Sequence, residues 1–159
     1  MKKLTDMCYI DALTHLGNRF AMERHKDQWN VKQSIGIIYC DVTGLKHIND
    51  TKGHKQGDAL LLRAAESLKE VFEIQDIFRI GGDEFLVICN GIAEQELKVY
   101  MEDLRQSMKE QDVNMALGAI WKKNVLETDF DDLMSQAEKL MYEEKAAYYK
   151  NAGADRRVR

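Results

Sequence analysis

Ser34 to Asp41 reads Ser-Ile-Gly-Ile-Ile-Tyr-Cys-Asp, apolar at odd and even positions alike. A strand with one buried face alternates apolar and polar residues. A strand without alternation is covered on both faces. The stretch therefore predicts a central strand with packed layers on either side, and any fold for this chain has to be built around it. The strand ends on Asp41. A carboxylate closing a buried strand points to a site at the strand terminus. The plainer alternative is an N-cap acid for the next helix.

The second constraint is Phe78-Arg79-Ile80-Gly81-Gly82-Asp83-Glu84-Phe85-Leu86-Val87-Ile88-Cys89. Gly-Gly between two apolar runs predicts a tight hairpin, with strands at about 76–80 and 84–90. The favoured two-residue turns need positive φ, which glycine adopts freely. Asp83 and Glu84 would then stand at the mouth of the returning strand, where a carboxylate pair can hold a hard cation. Two solvated surface acids are the alternative.

Helical periodicity appears elsewhere. Helices are expected from Arg19 to about Trp29, capped by Asn18, and from Thr43 to about Thr51. A polar joint at Gly53–Asp58 precedes a long amphipathic helix to about Phe72, with Leu61, Ala64, Ala65, Leu68 and Phe72 in period. Further helices are expected at about Ala93–Lys109 and Phe130–Tyr149. Between them Val113, Met115, Leu117, Ala119 and Trp121 alternate with smaller or polar residues, the mark of a half-buried strand, and a loop follows from Lys122 to Asp129. This order predicts an α+β fold: a mostly antiparallel sheet of about five strands flanked by helices. The expected organisation is a tether at 1–9, one domain at 10–150 and a flexible tail at 151–159.

The 159 residues, 45% hydrophobic and 31% charged, suit one soluble domain with a real core. A net charge of −4 argues against a large nucleic-acid footprint. Cys8, Cys40 and Cys89 form no C-x-x-C, so neither a zinc site nor a disulfide framework is suggested. No apolar stretch approaches the ~20 residues of a membrane helix, and a cytoplasmic setting is expected. The chain has no P-loop, no Gly-x-Gly-x-x-Gly and no His-Glu-x-x-His.

If the strands ending at Asp41 and starting near Asp83 are antiparallel neighbours, their carboxylates meet at one sheet edge. Mg²⁺ between them would turn repulsion into binding, and Mg²⁺ completes its shell with water and phosphate oxygens. That chemistry points to phosphoryl or nucleotidyl transfer.

Four blocks, in order, resemble the GGDEF-domain diguanylate cyclase family over nearly the full chain. They are Asp11-Ala-Leu13-Thr14-His-Leu16-Gly-Asn18-Arg19; Asp41 through Lys46, Asn49-Asp50 and Gly53-His54 to Gly57-Asp58; Arg79 with Gly81-Gly82-Asp83-Glu84-Phe85; and Ala137 through Met141-Tyr142 to Lys145. The resemblance implies a nucleotidyl-cyclase, polymerase-palm-like fold. It implies condensation of two GTP into cyclic di-GMP and two pyrophosphates across a homodimer, driven by an upstream sensor outside this chain. The cofactor implied is Mg²⁺, two ions per site, with Mn²⁺ as a substitute, held by Asp41, the Val42 carbonyl, Asp83 and Glu84. Asp83 would also help deprotonate the attacking 3′-hydroxyl, and Lys46 would neutralise phosphate charge. Asn49 and Asp58 would read guanine, and His54 would line the pocket. The amides of Gly44 and Leu45 would touch phosphate, and Lys145 would bind substrate. The alternative is a catalytically silent module that binds GTP or docks a partner.

The departures are local. Thr43 stands where the family often has Asp or Asn. The product-inhibition motif Arg-x-x-Asp is replaced by Phe72-Glu73-Ile74-Gln75. The phosphate-binding Arg expected four residues after Lys145 is Tyr149, followed by Lys150.

Overall fold

The computed structural model describes the backbone of residues 8–27, 33–126 and 129–158. The elements are α1 (Arg19–Asp27), β1 (Gln33–Val42), α2 (Leu45–Lys52), α3 (His54–Lys69), β2 (Ile77–Arg79), β3 (Glu84–Asn90), α4 (Glu94–Glu110), β4 (Met115–Val125) and α5 (Phe130–Val158). The sheet runs β2-β3-β1-β4 with every pairing antiparallel. It has four strands rather than about five, and β4 runs on through Lys122 to Val125, where the sequence predicts a loop.

β1 lies inside the sheet, as its two-sided apolar pattern requires. Ile38, Cys40 and Val42 face one core, shared with Leu61, Ala64 and Leu68 of α3 and Leu104 and Met108 of α4. Ile35, Ile37 and Tyr39 face a second core with Met22 of α1 and Phe130, Leu133, Ala137 and Met141 of α5. The result is three layers, with helices on both sides of the sheet.

Three local expectations are corrected. The hairpin exists, but neither Gly81 nor Gly82 sits at positive φ. The chain crosses from Arg79 to Glu84 through a longer loop, closed by the Ile80 N–H donating to the Glu84 carbonyl at 2.9 Å. Gly81 instead lies close to Glu84: a Cβ there would be 2.7 Å from Oε1, the tip of a side chain that can turn aside. Second, β4 is buried on both faces from Met115 to Gly118. Its small residues, Ala116 and Gly118, make room for α5 and do not mark solvent. Third, α5 continues helically to Val158, through the stretch expected as a loose tail. No proline stops it, and Ala, Lys, Asp and Arg are compatible with continuation. Trp29, the expected end of α1, lies outside the described residues.

Gly118 fixes how closely α5 can lie. A Cβ on it would fall on the Ala137 carbonyl oxygen and the Met141 backbone nitrogen. Backbone on both sides leaves nothing to rotate away. Gly118→Ala is expected to destabilise the protein by roughly 3 kcal/mol or more, as overpacking against rigid backbone does. Urea unfolding with an unchanged m-value would check it.

Candidate active site

The register pairs Asp41 of β1 directly with Glu84 of β3, and the Val42 N–H donates to the Asp83 carbonyl at 2.8 Å. The two acidic segments therefore converge on one sheet edge. Strand parity then sets direction. Asp41 continues the Ile35, Ile37, Tyr39 series, so it faces α5. There Lys145 Nζ lies 3.2 Å from Asp41 Oδ2. Asp41 is not a helix cap: Gly44 occupies the N-cap of α2, at φ 79.

Asp41 is only 3% exposed, and its Oδ1 is buried with no hydrogen-bond partner. Burial first, then the Asp83 charge, pushes its carboxyl up to about 6, with Lys145 pulling the other way. Burial also works against the Lys145 charge, but the Asp41 carboxylate outweighs it and raises the ammonium above its ordinary value. Glu84 Oε2 accepts the Tyr39 hydroxyl at 3.0 Å. Burial, then the charge of Glu84, raises that phenol far above its usual range.

This donor set fits Mg²⁺. It offers hard carboxylate oxygens, and one of them is buried and unpaired. Among the described residues no three His, Cys, Asp or Glu side chains form a ready-made cage. Mg²⁺ takes one or two carboxylates and fills its shell with water and phosphate.

The remaining candidates lie on α2, α3 and the turn before them. Asn49 is half-buried inside α2, where its carboxamide oxygen occupies the space a Cβ on Gly57 would need. Asp58 is exposed and one residue on. It is not the N-cap of the long helix, because α3 already begins at His54 with Gly53 as cap. Asn49 and the Gly57-Asp58 turn are thus brought together across the α2–α3 seam. His54 is exposed at the start of α3, and Lys46 is exposed on α2. Lys46 lines a cavity of about 600 Å³ with Thr43, Gly44, Asn114 and Tyr149. Leu45 is half-buried beside Gly57. No hydrogen bond or ion pair among the described residues joins Lys46 or His54 to the acidic edge. Thr43 is buried and structural: it bonds the Asn114 carbonyl through its N–H at 3.0 Å and its hydroxyl at 3.2 Å.

The N-terminal turn clamps the hairpin. Arg79 Nη1 is 3.1 Å from both Asp11 carboxylate oxygens, and Arg79 Nη2 donates to the Gly82 carbonyl at 2.8 Å. Arg19 donates to the Ile80 carbonyl at 3.3 Å. Burial would raise the Asp11 carboxyl, but the bonds from Thr14 and Arg79 hold it below its ordinary value. Two further residues escaped sequence reasoning as site members. Tyr39 lies two positions before Asp41, so strand period alone places it on the same face. Tyr149 bonds the Gly44 N–H at 3.1 Å.

The sequence profile described as "Diguanylate cyclase, GGDEF domain" matches residues 8–151. The chain belongs to the GGDEF-domain diguanylate cyclase family. Its fold is similar to the crystal structure of the coiled coil and GGDEF domain of DgcB from Caulobacter crescentus in complex with c-di-GMP. That match has a TM-score of 0.79 and 21% identity, covering 92% of this chain and 85% of that one. A microbial GGDEF domain described with bis-(3,5)-cyclic di-GMP matches at 27% identity and TM-score 0.72, over 91% of this chain and 94% of that one. Uncharacterized membrane proteins of Staphylococcus aureus are 32% identical over 121 residues, 72% of this GGDEF chain. The chain spans about a third of their length, 34%. No helix among its own described residues is long and apolar enough to cross a membrane.

The raised Asp41 carboxyl gives a pH test with a defined sign. In divalent-free buffer, between the ordinary carboxyl value of 3.8 and about 6, the folded GGDEF domain keeps this proton while the unfolded chain has lost it. Stability should therefore fall as pH rises through that window. Asp41→Asn should flatten that component of the slope in urea unfolding curves collected across it. Adding Mg²⁺ should stabilise wild type more at pH 7 than at pH 5, because the proton competes for the same oxygen.

Proposed function

We propose that this domain is a diguanylate cyclase that condenses two GTP into cyclic di-GMP and two pyrophosphates across a homodimer. The observation that carries the reading is the buried, unpartnered Asp41 Oδ1, at the edge where β1 meets the segment bearing Asp83 and Glu84. An isolated buried carboxylate oxygen is costly. A cation arriving with a triphosphate would remove that cost.

Asp41, the Val42 carbonyl, Asp83 and Glu84 would hold Mg²⁺, or Mn²⁺ in its place. When bound, the ions would increase the acidity of the attacking hydroxyl and offset charge on the departing pyrophosphate. Lys46 and Lys145 would neutralise triphosphate charge, and the Gly44 and Leu45 amides would donate to phosphate oxygens. Asn49 and Asp58, held across the α2–α3 seam, would read guanine: a carboxylate accepts from its N1 and N2 hydrogens. His54 would close the pocket rim. Each 3′-oxygen forms a bond to the α-phosphorus of the GTP on the facing protomer. The bond from that phosphorus to pyrophosphate breaks, and Asp83 helps remove the 3′-hydroxyl proton. Two such transfers close the ring.

One protomer holds half of this chemistry, so turnover should depend on concentration, and a sensor segment elsewhere in a longer protein would drive pairing. A GTP substrate would put the domain on the cytoplasmic side. Residues 1–9 would be its tether, 10–150 the cyclase domain and 151–159 its C-terminal extension.

Purified protein at high concentration, or dimerised by a fused coiled coil, should convert GTP with Mg²⁺ to cyclic di-GMP, scored by mass spectrometry. Asp83→Asn should lower the rate on the order of 10²–10³-fold, the cost of losing one preorganised charge. GTP binding without product in the forced dimer would identify a silent nucleotide-binding module. Binding of neither GTP nor Mg²⁺ would leave only a partner-docking module. Because Phe72-Glu73-Ile74-Gln75 replaces the Arg-x-x-Asp motif, excess cyclic di-GMP should leave the initial rate unchanged.

A further inference from the structure

Helix α5 reaches the site twice, one turn apart. Lys145 Nζ meets Asp41 Oδ2 at 3.2 Å. Four residues on, the Tyr149 hydroxyl oxygen accepts the Gly44 N–H at 3.1 Å. Residues four apart share a helix face, so both contacts come from one ridge. Gly44 opens α2 at φ 79, with no side-chain cap of its own in the helix. Its amide is one of the donors that a helix start leaves without an intrahelical partner, and Tyr149 takes it. Tyr149 is 42% exposed and its ring is braced edge-on by Tyr148, with ring centroids 5.3 Å apart at 83°. Both Gly44 and Tyr149 open onto the cavity of about 600 Å³ that Lys46 also lines, a volume within the usual range for small-ligand sites.

We propose that Tyr149 is an internal competitor for the phosphate-facing amide of Gly44, so that a nucleotide's phosphate oxygen must displace the phenol before it can take that N–H. The inference rests on the reading of this edge as a GTP site. An N–H of this kind has one hydrogen to give, and the hydroxyl oxygen and a phosphate oxygen are both acceptors for it. The phosphate forms the stronger bond because it is charged, so displacement occurs, but binding loses the worth of the phenol–amide bond. For a neutral exposed hydrogen bond that loss is roughly 2- to 10-fold in affinity. Tyr149 thus sets phosphate affinity without touching guanine selection at Asn49 and Asp58.

Tyr149→Phe keeps the ring and its contact with Tyr148 and removes only the acceptor. Calorimetric titration of wild type and Y149F with GTP, ATP and inorganic tripolyphosphate, each with Mg²⁺, tests the proposal. The dissociation constants should fall by a common factor of roughly 2 to 10, leaving the GTP-to-ATP ratio unchanged. In turnover KM should drop while kcat stays. Unchanged or weaker binding of all three by Y149F, with wild type binding normally, would overturn the competition and leave the GTP reading intact. Binding by Y149F alone would support it in its strongest form. Failure of both proteins to bind any of the three would overturn the inference together with the reading beneath it. A melting temperature for Y149F close to wild type would confirm that the comparison is between folded proteins.

Discussion

A carboxylate at 3% exposure with one oxygen unpaired is an electrostatic debt that the fold carries in one place. β1 crosses the sheet apolar on both faces from Ile35 and carries Asp41 next to its last residue, so the charge arrives at the rim of two cores rather than in solvent. Antiparallel pairing then sets Glu84 opposite and Asp83 beside it, which makes the local charge worse. Lys145 supplies one cation. Several acids against one ammonium is an arrangement whose repulsion a divalent ion would relieve.

What keeps that ammonium in place is a row of residues four apart on α5. Ala137 and Met141 press their backbone onto Gly118 of β4, Lys145 meets Asp41, and Tyr149 meets Gly44. The close approach at Gly118 therefore fixes the height of the helix above the sheet, and the next two turns inherit it. Glu144 adds a second tie, accepting the Leu117 N–H and pairing with Arg105 at 2.7 Å. Packing at the middle of the helix is thus continuous with charge placement at its site end.

Much of this was legible in residue order. Two-sided burial of 34–41, the hairpin, and the meeting of Asp41 with the Asp83-Glu84 segment all follow from strand period and antiparallel pairing. Three of the failures share a cause: a small residue has more than one physical meaning. Gly81-Gly82 suggested positive φ, whereas Gly81 instead lies close to Glu84. Ala116 and Gly118 suggested an exposed face, whereas they admit a helix backbone. Gly57 suggested a joint, whereas it lies within α3 and clears space for Asn49. Absence of a side chain records that space is needed, and only tertiary structure says what fills it. Tyr149 was visible only as a departure from the family pattern, because its bond to Gly44 spans 105 positions.

The short helix α2 touches both α3 and α5. Its seam with α3 holds Asn49 against Gly57, while its opening residue Gly44 is held by α5 beside the cavity that Lys46 lines. The groups proposed to read the base and to bind the phosphates would therefore sit on one rigid element but answer to different neighbours. A change at Gly57 would act on Asn49 and leave the Gly44 amide alone, and a change at Tyr149 would do the reverse. With both ends mounted on eight residues of helix, the distance between them is fixed by the helical rise. On the proposed reading, a nucleotide that satisfied one end would already be positioned for the other. In this way selectivity for the base and affinity for the phosphates can be tuned by separate substitutions without rebuilding the acidic edge.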